Sequence, residues 1–97
     1  MNPEYYEGIV LVTIARLLAE GQNVGQVNIL KHAKIGRTTL LKAIKRLEEK
    51  HRLGVFRPSG PGPGGVRHQY EILDPPSEYD KLALELHLVW DGKPNGR

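Results

Sequence analysis

Between Arg57 and Val66 the chain runs PSGPGPGG, eight consecutive residues drawn only from proline, serine and glycine. Proline removes backbone donors and fixes φ, glycine loses the most backbone entropy on ordering, and neither a helix nor a laddered strand continues through such a run. The segment must be a loop, and whatever lies on either side must be separate elements. Residues 53–57 before it read as a strand. Residues 66–73 after it set Val66, His68, Tyr70 and Ile72 against Arg67, Gln69 and Glu71, the two-residue period of a strand with one covered face. Two such segments around a run of turn formers predict a β-hairpin with a long tip.

Upstream of the hairpin the periodicity is helical. From residue 4 to residue 20, Tyr6, Ile9, Val10, Thr13, Ile14, Leu17 and Leu18 recur at spacings of three and four. Asn2, Pro3 and Glu4 supply a cap, a first-turn proline and an acid at the positive end of the helix dipole, and Gly21 supplies the stop. Tyr5, Leu11 and Val12 widen this apolar arc beyond what one small core requires, so the helix is expected to face a partner as well. Residues 26–33 place Val27, Ile29, Leu30 and Ala33 on one side of a second, two-turn helix. After a break at Ile35 and Gly36, Leu40, Ala43, Ile44 and Leu47 define a third, from Arg37 to near Lys50 and His51. Beyond Pro75 and Pro76, Ser77 is a good N-cap for a fourth helix, with Tyr79, Leu82, Ala83, Leu86, Val89 and Trp90 on one face. Leu82, Leu84, Leu86, Leu88 and Trp90 also alternate as a strand would; leucine and alanine, with the clean start at Ser77, favour the helix.

Ninety-seven residues are enough for one small core, whose thin margin of buried surface association with a second copy would improve. The expected organisation is a single domain over residues 1–90 and a flexible tail over 91–97, with no room for a separate effector domain. Without cysteine there is no disulfide, thiolate nucleophile or cysteine-ligated metal, and a reducing compartment is expected. No apolar run approaches the roughly 18 to 20 residues of a membrane span, and residues 9–14 are too short and too far from a basic start to form a signal peptide. A cytoplasmic protein without membrane contact is the expectation. The net charge of +3 conceals an asymmetry: residues 21–58 carry Lys31, Lys34, Arg37, Lys42, Lys45, Arg46, Lys50, Arg52 and Arg57 against only Glu48 and Glu49, a net of +7, while residues 1–20 and 59–97 each come to −2. A basic centre between acidic flanks suits a surface built for a polyanion.

Residues 24–47, VGQVNILKHAKIGRTTLLKAIKRL, resemble the helix-turn-helix of winged-helix DNA-binding proteins: Ile29, Leu30 and Ala33 pack the first helix, Ile35 anchors the turn, and Arg37, Thr38 and Thr39 open the recognition helix. The continuation LEEKHRLGVFR is similar to the end of that helix running into the first wing strand. Gly25 and Gly36 depart from the family, which usually has serine or threonine as the helix cap. The resemblance implies an α+β winged helix-turn-helix, with the helix-turn-helix over 25–50, the wing over 53–73 and an additional C-terminal helix over 77–90. It also implies a recognition helix entering the major groove of double-stranded DNA and a wing reaching along the backbone or into the minor groove. With Leu40, Ile44 and Leu47 facing the core, steps of about 100° put Thr38, Lys42, Lys45 and Arg46 on the opposite side. The expected DNA-contacting set is therefore Arg37, Thr38, Thr39, Lys42, Lys45 and Arg46, with Arg57, Arg67 and His68 in the wing.

Enzyme chemistry finds no support. Residues 60–65 lack the lysine and hydroxyl residue that close a phosphate-binding loop, His32, His51, His68 and His87 show no paired metal-ligand spacing, and no serine or threonine sits in a nucleophile motif. No metal, cofactor or small-molecule substrate is expected. The leading expectation is a homodimeric transcriptional regulator occupying a palindromic operator, held together by the apolar excess of Tyr5, Leu11, Leu84, Leu88 and Trp90. The alternatives are an architectural, plasmid-partition or replication-origin protein that coats or marks DNA, and a winged helix turned to protein–protein interaction.

Overall fold

The computed structural model describes residues 3–56 and 69–91. Its elements run α1 (Pro3–Ala19), α2 (Gln26–Ala33), α3 (Arg37–Glu49), β1 (Leu53–Phe56), β2 (Gln69–Ile72) and α4 (Glu78–Asp91). Four helices and a two-stranded antiparallel sheet make the fold α+β, in an order compatible with a winged helix. β1 and β2 pair in the register Leu53↔Ile72, Gly54↔Glu71, Val55↔Tyr70, Phe56↔Gln69, joining the strands on either side of the proline–glycine run. Asn2, residues 57–68 (Arg57, Arg67, His68 and the expected hairpin tip among them) and residues 92–97 lie outside the described residues, as does the side chain of Trp90.

Two helix ends show how the chain turns. At the end of α1, Gly21 takes φ 71°, with its N–H on the Leu18 carbonyl at 3.1 Å and the Gln22 N–H on the Leu17 carbonyl at 2.9 Å, the paired bonds of a Schellman cap. α3 ends in the same way on a residue that is not glycine: His51 adopts φ 58°, its N–H reaches the Glu48 carbonyl at 3.1 Å, and the Arg52 N–H reaches the Leu47 carbonyl at 2.9 Å. That cap turns the chain directly from α3 into β1.

α1 lies at the centre. Val10, Leu11, Ile14 and Leu17 pack with Ile29 of α2, Leu40, Ala43, Ile44 and Leu47 of α3, and Leu53 of β1. On its other side Ile9 and Val12 pack with Ala33, Ala83 and Leu84. The wide apolar arc of this helix is thus covered within the chain, Leu11 by the first cluster and Tyr5 and Val12 by the second, which α4 completes. This corrects the expected dimer contact: Leu11 and Leu84 are buried inside the protomer, and Tyr5 and Leu88 are partly covered against the second cluster.

α4 is indeed a helix through residues 82–90, but among the described side chains of the expected face only Ala83 turns inward, and Tyr79, Leu82, Leu86 and Val89 turn outward. Asp80, Ala83, Leu84 and His87 are buried, whereas Tyr79, Leu82, Leu86 and Val89 are each about half exposed. The two faces differ by one residue, roughly 100° of helix rotation, and both carry leucines, so apolar periodicity alone did not choose between them. Two polar pegs did. His87 Nε2 donates to the Lys34 carbonyl at 3.0 Å, in the turn between α2 and α3, with the rings of Tyr5 and Tyr6 edge-on to its imidazole. At the helix start, Ser77 and Asp80 form a reciprocal capping box: Asp80 N–H donates to Ser77 Oγ at 3.1 Å and Ser77 N–H to Asp80 Oδ2 at 2.9 Å. Asp80 Oδ2 also takes Arg52 Nη2 at 3.0 Å, while Arg52 Nε reaches Asp74 at 2.9 Å. Gly8 permits this contact, because a Cβ there would stand 2.6 Å from Asp80 Oδ1 and 3.3 Å from the Asp80 Cα.

Burial pushes the Asp80 carboxyl up, but the Ser77 N–H and the Arg52 guanidinium more than offset it and hold the group below its ordinary 3.8. A carboxylate whose folded pKa lies below its unfolded value stabilises the fold at all pH above the unfolded value, and that contribution is lost as the pH falls through the folded one. Thermal midpoints measured across acid pH should therefore fall more steeply below 3.8 for the wild type than for Asp80→Asn. Parallel curves would mean that the ionisation of Asp80 contributes nothing to stability.

Candidate nucleic-acid interface

α3 buries Leu40, Ala43, Ile44 and Leu47 and turns its other side to solvent. Arg37, Thr38, Lys42, Lys45 and Arg46 are all exposed, and Thr39 is partly so. None of the four cations has an ion-pair partner among the described residues. All six α3 residues of the expected set thus share one accessible helix, with the charged heads left to solvent.

The rest of the basic centre divides differently. Lys50 and Arg52 counted toward its charge, yet Lys50 Nζ is 2.8 Å from Glu7 Oε1 and 3.9 Å from Glu4 Oε2, and Arg52 is held by Asp74 and Asp80. These acids come from the two acidic flanks. Part of what reads in sequence as a polyanion surface is therefore an internal ion network. Glu7 is the extreme case, with its side chain only 3% exposed and Oε2 lacking any hydrogen-bond partner among the described residues.

The glycines at the two helix starts act as plain caps. Gly25 and Gly36 both have extended backbone, φ −72° and −77°, with no side-chain cap. Nothing lies within 4 Å of where a Cβ would stand on Gly36, so the approach to the first turn of α3 is sterically open.

One feature of this face was not legible in the sequence. Tyr6, counted there as a core position of α1, joins Thr39, Lys42, Ala43 and Arg46 around a cleft of about 220 Å³. A phenol, a hydroxyl and two cations around such a cleft match the donors that hold a phosphate oxygen. Nothing in the spacing of α1 points to this role, because the contact exists only once α1 crosses α3.

No family model matches this sequence, and no curated protein matches it. Among solved structures the chain is similar to the crystal structure of Pex from Synechococcus sp. (strain PCC 7942) (Anacystis nidulans R2), with a TM-score of 0.52 and 14% identity over 92% of this chain and 83% of that one. At that identity the likeness is one of fold alone.

Lys42 tests the orientation of α3. Lys42→Ala should leave the thermal midpoint nearly unchanged, because the side chain is exposed, while weakening DNA binding in a fluorescence-anisotropy titration by about 1–3 kcal/mol if it reads a base. A variant that unfolds yet binds normally in its folded fraction would place Lys42 on the packed side.

Proposed function

We propose that this protein is a sequence-specific double-stranded DNA-binding protein of winged-helix type, a homodimer that regulates transcription by occupying an operator, and not an enzyme. The observation that carries this reading is the outward face of α3, where Arg37, Lys42, Lys45 and Arg46 are exposed without acidic partners among the described residues, beside Thr38 and Thr39. A helix of thirteen residues, held by its apolar side and cationic on the other, has the dimensions and charge to lie in a major groove. The two-stranded sheet that follows it in the chain would then serve as the wing. The likeness of fold to Pex supports the architecture and leaves the DNA reading resting on α3. No helix among the described residues is long and apolar enough to cross a membrane.

α4 supports the dimer by a face other than the one expected from sequence. Tyr79, Leu82, Leu86 and Val89 are spaced three, four and three residues apart, the a and d positions of two heptads, and each keeps about half its surface open to solvent. At roughly 100 Å² each, two copies would remove about 800 Å² of apolar surface, on the order of 20 kcal/mol gross at about 25 cal/mol per Å² and against association costs of about 4–15 kcal/mol. That is enough for a dimer at ordinary concentrations.

Two measurements test the proposal. Footprinting on DNA flanking its own gene should give a bounded, palindromic protection whose affinity falls steeply with salt, as expected when several phosphates release counterions. An extending footprint would favour a protein that coats DNA, and a flat salt response would remove DNA as the partner. In sedimentation, Leu82→Glu with Leu86→Glu should convert the dimer to a folded monomer with weakened operator binding, whereas a dimer unaffected by both changes would rule out the α4 stripe.

A further inference from the structure

Leu41 is the one large apolar side chain of α3 that the fold leaves outside: it is 45% exposed and belongs to neither hydrophobic cluster. It is the fifth residue of the helix. One turn before it stand Arg37 and Thr38, one turn after it stands Lys45, and Lys42 is its neighbour. An apolar group is thereby set among three cations and a hydroxyl that have no partners of their own in the described residues. The N-terminal half of a recognition helix is the part that meets base edges, and Leu41 lies within it.

Base edges in the major groove present hydrogen-bond donors and acceptors, with one apolar exception, the C5-methyl of thymine. A leucine carried into the groove by the charges around it has that single complementary group to meet. Against cytosine or guanine it would cover polar atoms without bonding them, which costs affinity. Resting on the reading of α3 as the recognition helix, we infer that Leu41 is a specificity-determining residue that selects thymine by contact with its C5-methyl. Thr38, three residues earlier and also exposed, adds its own methyl to the same strip of helix surface. The cations set affinity and register through phosphates and guanine acceptors, and the leucine supplies a preference that charge alone cannot supply.

Uracil gives a direct test, because it keeps every hydrogen-bonding edge of thymine and lacks only the methyl. Sites are first selected from randomised duplexes with the full-length wild-type chain, and each thymine of the recovered site is then replaced in turn by deoxyuridine. Wild-type affinity should fall about fourfold at one position in each half-site, the transfer value of one buried carbon group. Leu41→Ala should bind the parent site more weakly and show no penalty at that position, while retaining its responses elsewhere. An equal uracil penalty in Leu41→Ala, or no uracil penalty in the wild type on a selected site, would overturn the assignment with DNA binding intact. Failure of the wild type to enrich any sequence would overturn the specific-binding reading itself, and the assignment with it. The uracil series on wild-type protein needs no mutant to overturn the assignment. If Leu41→Ala is poorly folded, Leu41→Met, which keeps an apolar side chain of similar size, and Thr38→Ser, which removes the other methyl, separate the leucine's contact from that of Thr38, because both should retain the penalty.

Discussion

The burial of α1 on nearly all sides is the constraint from which the rest of this structure follows. Ile9, Val10, Leu11, Val12, Ile14 and Leu17 lose essentially all contact with water, and they point in too many directions for one partner layer to cover. A helix apolar around most of its circumference is stable only when sandwiched. Here α2, α3 and β1 close over one side and α4 over the other, and the surface proposed to meet DNA is what remains on the far face of α3.

α4 does more than cover the core. Through Asp80 and Arg52 it is tied to the residue that leads from α3 into β1, and through His87 it holds the carbonyl of Lys34 in the turn that aims α3. The helix proposed to join two copies is therefore hydrogen-bonded to both ends of the segment proposed to meet DNA. That linkage fixes how the outward side of α3 stands relative to the exposed stripe of Tyr79, Leu82, Leu86 and Val89, which is the geometry the proposed two-fold dimer needs if two recognition helices are to match a palindrome.

The charge distribution divides along the same line. Acidic residues of both chain flanks fold back onto Lys50 and Arg52, while Arg37, Lys42, Lys45 and Arg46 are left facing outward. Internal acids thus neutralise the cations that hold the fold and spare those available to a ligand. Adding up charges along the chain cannot make this distinction, since paired and unpaired cations count equally.

Local signals determined most of the elements. The periods of three and four residues place α1, α2 and α3 within a residue or so of where they form, Ser77 marks the start of α4, and the proline–glycine run separates the strands that pair as β1 and β2. The outward face of α3 was equally legible, because a helix with one strongly apolar side has only one way to turn. What only the tertiary structure decided was every choice between two apolar faces or two roles for a charge. α4 has leucines all round, and its orientation came from Asp80 and His87, whose partners lie 28 and 53 residues away. Leu11 and Leu84 looked like surplus because each is covered by residues far off in the chain, Leu11 by α2, α3 and β1 and Leu84 by Ile9 and Val12 of α1. Tyr6 reached the α3 cleft only through the crossing of α1. Sequence spacing records which residues share a face, whereas which face is covered depends on long-range contacts that no local period encodes.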